Sequence, residues 1–242
     1  MADTLVVIPA YNEEASIAET LEELLKHNVG ADILVVNDGS GDRTGEAAAG
    51  FPVHLVQHPV NLGYGAALQT GYKFALQNGF RYVVQFDADG QHSPDDLRSL
   101  IAEMRMDDAD IVIGSRFLGN RAFNPGKRKR LAIRVFRTLI YMFTRVTVTD
   151  PTSGLRGMNA RLFGLYSERG RFPSDFPDAD IIIHMLLHRF RLREFPIGSK
   201  ERAAGTSMHS GLKPIIYMFK VILSIVAVLV NYGLDARRKT NA

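Results

Sequence analysis

The chain has 242 residues, 46% of them hydrophobic, with a formal net charge of +3, no cysteine and no tryptophan. That length suffices for one well-buried domain, and no internal repeat, low-complexity tract or Pro/Gly-rich linker divides it. Without cysteine there is no disulfide, no thiolate metal site and no cysteine nucleophile.

The first apolar run, 5–8, is too short for a secretory leader and meets Pro9 at once, so no signal peptide is expected. It reads as a buried parallel strand ending in the polar turn P-A-Y-N-E-E, and a second run, 33–36, ends in N-D-G-S-G-D. Each turn opens a helical pattern, 16–26 after the first and 44–49 after the second. Gly63-Tyr64-Gly65 begins like a dinucleotide fingerprint, but Leu68 stands where the third glycine belongs. The better reading is a tight loop opening a helix over 66–77. The next apolar run gives out at D-A-D-G-Q, residues 87–91. Side chains two apart on a strand share a face, so Asp87 and Asp89 are expected to project together into the crevice at the strand's carboxyl end, or else to cap the following element. This rhythm predicts a doubly wound α/β sheet with its acidic loops gathered at one edge.

Between Asp110 and Asp150 the chain has no acidic residue, yet it carries Arg116, Arg121, Lys127, Arg128, Lys129, Arg130, Arg134, Arg137 and Arg145. The pattern over 131–148 is helical, with Val135, Leu139, Met142 and Val146 on one side and Ile140 and Phe143 widening it. Such a helix suits an anionic membrane surface, and a solvated helix packing its apolar face on the sheet is the competing reading. No groove-reading motif or stacking aromatic set accompanies the run, so nucleic acid is not expected as a partner. His184 and His188 stand at i, i+4 spacing without a third ligand and read as an ordinary helix face, and His92 reads as a surface hydrogen-bonding residue. The apolar segment 214–230 is interrupted by Lys220 and followed by Arg237, Arg238 and Lys239. Its longest charge-free part falls short of the roughly 18 to 20 residues that span a bilayer, which favours an interfacial anchor or a helix pairing with a second subunit over a spanning helix with Lys220 snorkelling.

The stretches V-V-I-P-A-Y-N-E-E, V-V-N-D-G-S-G-D-R-T, N-L-G-Y-G-A-A-L-Q-T-G, D-A-D-G-Q and D-P-T-S-G-L-R resemble those of family 2 inverting glycosyltransferases. Within that family their order resembles the dolichol- or polyprenyl-phosphate sugar synthases, over 5–207. The resemblance implies an α/β glycosyltransferase A fold with a mostly parallel sheet. The catalytic domain would cover 1–210, including a basic amphipathic helix at about 127–148, and 211–242 would form a membrane-associating or oligomerising helix with a basic tail. It implies that Pro9, Tyr11, Glu13 and Asp38 hold the nucleoside of a UDP, GDP or dTDP sugar, with Asn61 and Gly63 beside the donor; for Asp38 an Asx-turn before Gly39 is the alternative. Asp87, Asp89 and Gln91 would hold Mg²⁺ or Mn²⁺. Arg116 and Arg130 match positions that take the lipid phosphate, Asp150 with Ser153 and Arg156 borders the site, and Arg202 meets the donor diphosphate. Two departures stand out: Arg134 lies where the family often has a serine, and Met208 replaces a common lysine.

The implied reaction moves one hexose to polyprenyl phosphate with inversion, at the cytoplasmic face of the membrane, with Asp89, Arg116, Arg130, Asp150 and Arg202 as the catalytic set. A phosphate acceptor is already dianionic near neutral pH and needs no base, whereas a hydroxyl acceptor requires one. Asp178 and Asp180 are candidates for that base, or for the cap and first-turn acids of the helix that follows. A family 2 enzyme acting on a hydroxyl acceptor is therefore the main alternative, and a membrane scaffold with a vestigial site the more distant one. A chain without tryptophan cannot carry the Q-x-x-R-W motif of processive polysaccharide synthases.

Overall fold

The structure is a computed structural model that describes residues 2–88, 92–119, 123, 125–173, 177–198 and 213–240. Its strands are β1 (Thr4–Ala10), β2 (Asp32–Asn37), β3 (His54–Gln57), β4 (Tyr82–Gln85), β5 (Ile111–Ser115), β6 (Arg156–Asn159) and β7 (Leu192–Pro196). They form a seven-stranded sheet of order β3-β2-β1-β4-β6-β5-β7. All neighbours run parallel except β6, which is antiparallel to both β4 and β5. Ala10 pairs with Asn37, so the chain leaves β1 and β2 side by side at one edge, with the β4 exit beyond them.

Alternation along β1 explains the two layers, since successive side chains point to opposite faces. Leu5 and Val7 face a cluster built with α3 (Tyr64–Gln77), α5 (Lys127–Thr144), α6 (Ala160–Ser167), α7 (Ala179–Leu187) and α8 (Lys213–Thr240). Val6 and Ile8 face a second cluster built with α1 (Ile17–Lys26), α2 (Thr44–Ala49) and α4 (Pro94–Arg105). All four side chains are completely buried, each contributing about 1.5 to 3 kcal/mol of hydrophobic stabilisation. On α4, Ser93 Oγ accepts from Asp96 N at 3.1 Å with Pro94 in the first turn, which fixes where that helix starts.

Several sequence expectations shift. β1 continues through Pro9, and α3 starts at Tyr64, two residues before the expected 66. β4 closes at Gln85, so Asp87 stands in the loop beyond it and the shared strand face expected for Asp87 and Asp89 does not apply. Helix α5 runs over Lys127–Thr144 and stops at Arg145, whose φ of 60° is left-handed. Its buried residues are Ile133, Phe136 and Ile140, while Met142, expected on the packed side, is half exposed. The apolar arc of this helix is wider than its buried strip, so periodicity alone does not select which edge of the arc is packed; packing against α7 does. His92, expected at the surface, is buried, its ring centroid 6.4 Å from that of Phe86, just ahead of the Ser93 cap that starts α4.

On α8, Val221 and Ile225 are buried against the core, and Ser224 Oγ donates to Asp180 Oδ2. The opposite face carries an exposed stripe of Phe219, Ile222, Leu223, Val226 and Val230. Among the described residues, no helix is long and apolar enough to cross a membrane.

Candidate active site

The loops leaving β1 and β2 are laced together. Asn12 N donates to Ser40 Oγ at 3.0 Å, Gly41 N to Asn12 Oδ1 at 2.9 Å, and Glu13 N to Thr44 Oγ1 at 2.8 Å. Glu13's carboxylate accepts from Ser16 Oγ at 2.7 Å, and the Tyr11 ring stands half exposed above the end of β1. The Asx-turn at the end of β2 belongs to Asn37, whose Oδ1 accepts from Ser40 N at 3.2 Å. Asp38 instead turns inward: Oδ1 accepts from His58 Nδ1 at 2.7 Å and Leu62 N at 2.9 Å, and Oδ2 from Gly63 N at 2.8 Å. This clamps the 58–63 loop, with exposed Asn61, over Gly39, where a Cβ would come within 2.3 Å of the Val60 carbonyl carbon.

Asp87 sits at the mouth of β4. Its Oδ1 accepts from the Tyr64 hydroxyl at 2.9 Å, and its Oδ2 lies where a Cβ on Gly154 would stand only 2.0 Å away. Burial first, and then the Asp87 charge beside it, push the Tyr64 hydroxyl well above the ordinary tyrosine value, so it stays a donor. Asp89 and Gln91 lie outside the described residues, as does Arg202. Among the described residues no three His, Cys, Asp or Glu side chains converge as a metal cage. The chemistry still fits a hard divalent cation: Asp87 is a restrained oxygen donor, and the adjoining 89–91 sequence supplies only oxygen ligands.

Beyond β6 lies a second buried constellation. Arg116 grips Asp150 along one edge, Nε to Oδ2 at 2.7 Å and Nη2 to Oδ1 at 2.9 Å, and Nη2 also donates to Thr152 O at 3.1 Å. Burial alone would raise the Asp150 carboxyl, but the hydrogen bonds and charge of Arg116 outweigh it and hold the group below the usual carboxylate value. Glu194 on β7 fixes the backbone underneath, accepting from Thr149 N at 2.7 Å and Asp150 N at 2.9 Å. Arg156 is buried and donates to Ser153 O, Pro151 O and Pro177 O, and it pairs with Asp178 at 3.3 Å. Asp180 Oδ1 accepts from Asp178 N at 2.9 Å, so Asp180 caps the start of α7 while Asp178 makes no cap bond of its own. The Ser153 hydroxyl is buried and has no hydrogen-bond partner among the described residues.

A cavity of about 290 Å³ opens beside this pair, lined by Phe117, Phe123, Pro125, Arg130, Ile133, Arg134 and Arg137. The two phenylalanine rings meet edge to face at 5.3 Å. Arg116 stacks on Phe123 at 4.6 Å and Arg137 on Phe117 at 4.4 Å. Arg137 donates through Nη2 to Thr149 O, while its Nε is buried with no hydrogen-bond partner among the described residues. A second cavity, of about 190 Å³ and lined by Arg81, Tyr82 and Arg161 among others, lies at the opposite end of β4 from Asp87.

The structure thus places Pro9, Tyr11, Glu13, Asp38, Asn61, Gly63 and Asp87 along one sheet edge, and Arg116, Arg130 and Asp150 around the neighbouring cavity. The loop 150–154 joins the two, with Asp150 bound to Arg116 and Gly154 against Asp87. Sequence reasoning missed Tyr64, His58, Arg137, Thr149 and Glu194. Tyr64 carried a signal, a large side chain between two glycines of a singled-out loop; Glu194, in an unremarkable strand, carried none.

The described site is thus a restrained acidic edge beside an arginine-lined cavity. The model of glycosyl transferase family 2 matches residues 5–165, and the chain belongs to that family. It is 31% identical to the undecaprenyl-phosphate mannosyltransferase of Micrococcus luteus, over 96% of this chain and 95% of that one. It is 30% identical to the UDP-N-acetylglucosamine–dolichyl-phosphate N-acetylglucosaminyltransferase of Methanococcus voltae, over 88% and 94%. Among solved structures, glucosyl-3-phosphoglycerate synthase of Mycobacterium tuberculosis, in complex with Mn²⁺, UDP and glucosyl-3-phosphoglycerate, matches with a TM-score of 0.66 at 20% identity, covering 95% of this chain and 79% of that one. The fold is glycosyltransferase A, and the protein is an inverting nucleotide-sugar glycosyltransferase.

Proposed function

We propose that the chain transfers a hexose from a nucleotide-diphosphate sugar to polyprenyl phosphate at the cytoplasmic membrane face. The observation that carries this reading is the cavity that combines Arg130, Arg134 and Arg137 with Phe117 and Phe123, one loop away from Asp87. Guanidinium groups suit phosphate oxygens and the phenylalanines suit the first carbons of an apolar alcohol. The relatives named for undecaprenyl-phosphate and dolichyl-phosphate transfer support the same acceptor class.

Pro9, Tyr11 and Glu13, with Asn61 and Gly63, hold the nucleoside end, Asp38 acting from beneath by bracing the 58–63 loop, and Arg202 takes the diphosphate. Asp87, Asp89 and Gln91 would hold Mg²⁺ or Mn²⁺, which would supply positive charge for the leaving diphosphate. Arg130 contacts the acceptor phosphate. Arg116, buried and held by Asp150 and Thr152, stands behind the cavity and supports it through Phe123. The acceptor dianion attacks the anomeric carbon directly, so the protein's work is alignment and charge stabilisation. The other carboxylates support this economy: Asp150 is neutralised by Arg116, Asp178 pairs with Arg156, and Asp180 is buried against Ser224. None of them is disposed as a base for a hydroxyl acceptor.

The exposed stripe of α8, together with exposed Leu131, Tyr141 and Met142 among the arginines of α5, supports docking at an anionic membrane surface. The same stripe suits a homo-oligomer through α8.

The test supplies radiolabelled nucleotide sugars with polyprenyl phosphate and follows label into organic solvent. Arg130→Ala should lower acceptor use about tenfold or more, a charge-assisted contact being worth roughly 1.5 to 3 kcal/mol, while Asp178→Asn retains substantial turnover. Tolerance at Arg130, loss at Asp178 and product on a soluble sugar alcohol would move the assignment to a hydroxyl acceptor.

A further inference from the structure

Asp87 lies past the end of β4, where no strand ladder restrains it, yet both its oxygens are confined. The hydroxyl of Tyr64 donates to Oδ1 at 2.9 Å. On the other side, only a glycine fits at position 154, since a Cβ there would stand 2.0 Å from Oδ2 and 3.0 Å from the carboxylate carbon. Tyr64 is itself fixed from behind. It opens α3, and the two preceding residues, Leu62 and Gly63, give their backbone N–H groups to Asp38 at 2.9 and 2.8 Å. Gly63 has a φ of 101°, which lets the chain turn from the Asp38 clamp into the helix and aims the next side chain across the sheet edge. The segment 62–64 is therefore a cross-brace between the acidic ends of two strands, β2 and β4.

We infer that Tyr64 is a positioning residue for donor binding: its hydroxyl, working against Gly154, holds the Asp87 carboxylate in the one orientation that receives the nucleotide diphosphate and its cation. The inference rests on the donor reading proposed above and adds to it a residue outside the acidic motifs. A hydroxyl donor suits this task better than a cation. It orients the carboxylate through a directional hydrogen bond without neutralising it, so Asp87 keeps its charge for the ligand. Lost partners of this kind behind a ligating carboxylate typically cost about tenfold to a hundredfold in affinity.

The experiment is isothermal titration of the full chain with UDP and with GDP in the presence of Mn²⁺, alongside steady-state kinetics. Tyr64→Phe, which removes one oxygen and keeps the ring, should weaken the nucleotide about tenfold. It should raise the donor KM by a similar factor, with the acceptor KM and melting temperature unchanged. In an Asp87→Asn background the same substitution should cost nothing further, because the residue acts only through that carboxylate. Gly154→Ala displaces the carboxylate from its other side, should weaken the nucleotide likewise, and answers the question if Tyr64→Phe does not fold. Wild-type affinity in both variants, or an equal loss from Tyr64→Phe with and without Asp87, would overturn the assignment. Failure of the unaltered chain to bind either nucleotide would instead overturn the donor reading, and the assignment with it.

Discussion

Arg116 and Asp150 form a two-point ion pair at 2.7 Å that is shut off from solvent, with Asp150 along the edge of the guanidinium and the Phe123 ring against its face. The two residues come from β5's exit and from the loop entering β6, so the pair fastens the cavity to the sheet. Leaving one buried charge without its partner generally costs about 3 to 5 kcal/mol. Asp150→Ala should therefore lower unfolding stability by that order, and Arg116→Ala likewise, with the double variant less destabilised than the sum of the two. Urea denaturation measures this; additive losses would show that the pair does not act as a unit. Because Asp150's carboxyl is held below its ordinary value, its stabilising contribution is present above about pH 4 and fades as the pH falls through the folded value.

Asp180 behaves in the opposite sense. Burial first, with Asp178's charge assisting, lifts its carboxyl to about 6 despite the Ser224 hydroxyl that donates to it. The folded chain then holds a proton that the unfolded chain releases at about pH 4, so stability declines between about pH 4 and 6 and stays lower above that window. Asp180→Asn keeps an oxygen for the Asp178 amide and removes the charge. It should raise stability at pH 7.5 by on the order of 2 kcal/mol, with little gain at pH 4. Equal melting shifts at both pH values would show that Asp180 does not titrate in this window.

Chelation should abolish transfer, with Mg²⁺ or Mn²⁺ restoring it, and Asp89→Ala should lower turnover at least about a hundredfold. Full activity in excess chelator would take the cation out of the mechanism; near-wild-type turnover of the variant would take Asp89 out of it.

The α8 stripe should govern vesicle binding. Truncating the helix is a poor test, since Val221, Ile225 and Ser224 belong to the core and its polar contacts. Replacing exposed Phe219, Leu223 and Val226 by serine removes apolar surface and leaves that packing alone. Sedimentation with anionic vesicles should drop severalfold, each lost side chain being worth up to about 1.5 kcal/mol or more. Unchanged sedimentation, with the oligomeric state altered instead, would assign the stripe to a second copy of the chain.

Much of the donor edge was legible because it is local. Buried parallel strands announce themselves as apolar runs, and the helix at Thr44–Ala49 follows its turn as the pattern predicted. The family's motifs carried the acidic positions. What stayed hidden depends on residues far apart in sequence. Tyr64 meets Asp87 across 23 positions, and Glu194 meets Asp150 across 44, distances over which no periodicity speaks. The face of α5 was illegible for a different reason. Its apolar arc is broad, and the edge of that arc that packs was decided by α7, whose position no local pattern encodes.

The reversed strand β6 divides the sheet into two parts. Strands β3, β2, β1 and β4 occupy one and come from the first 85 residues of the chain; β6, β5 and β7 occupy the other and come from the remainder. A single run of strand pairing joins them, the four residue pairs from Tyr82 with Asn159 to Gln85 with Arg156. The strand ends that lead to Asp38 and Asp87 and the strand that leads to Arg116 therefore stand on opposite sides of that line. The 150–154 loop, with Gly154 against Asp87 and Asp150 on Arg116, is where a change on one side reaches the other.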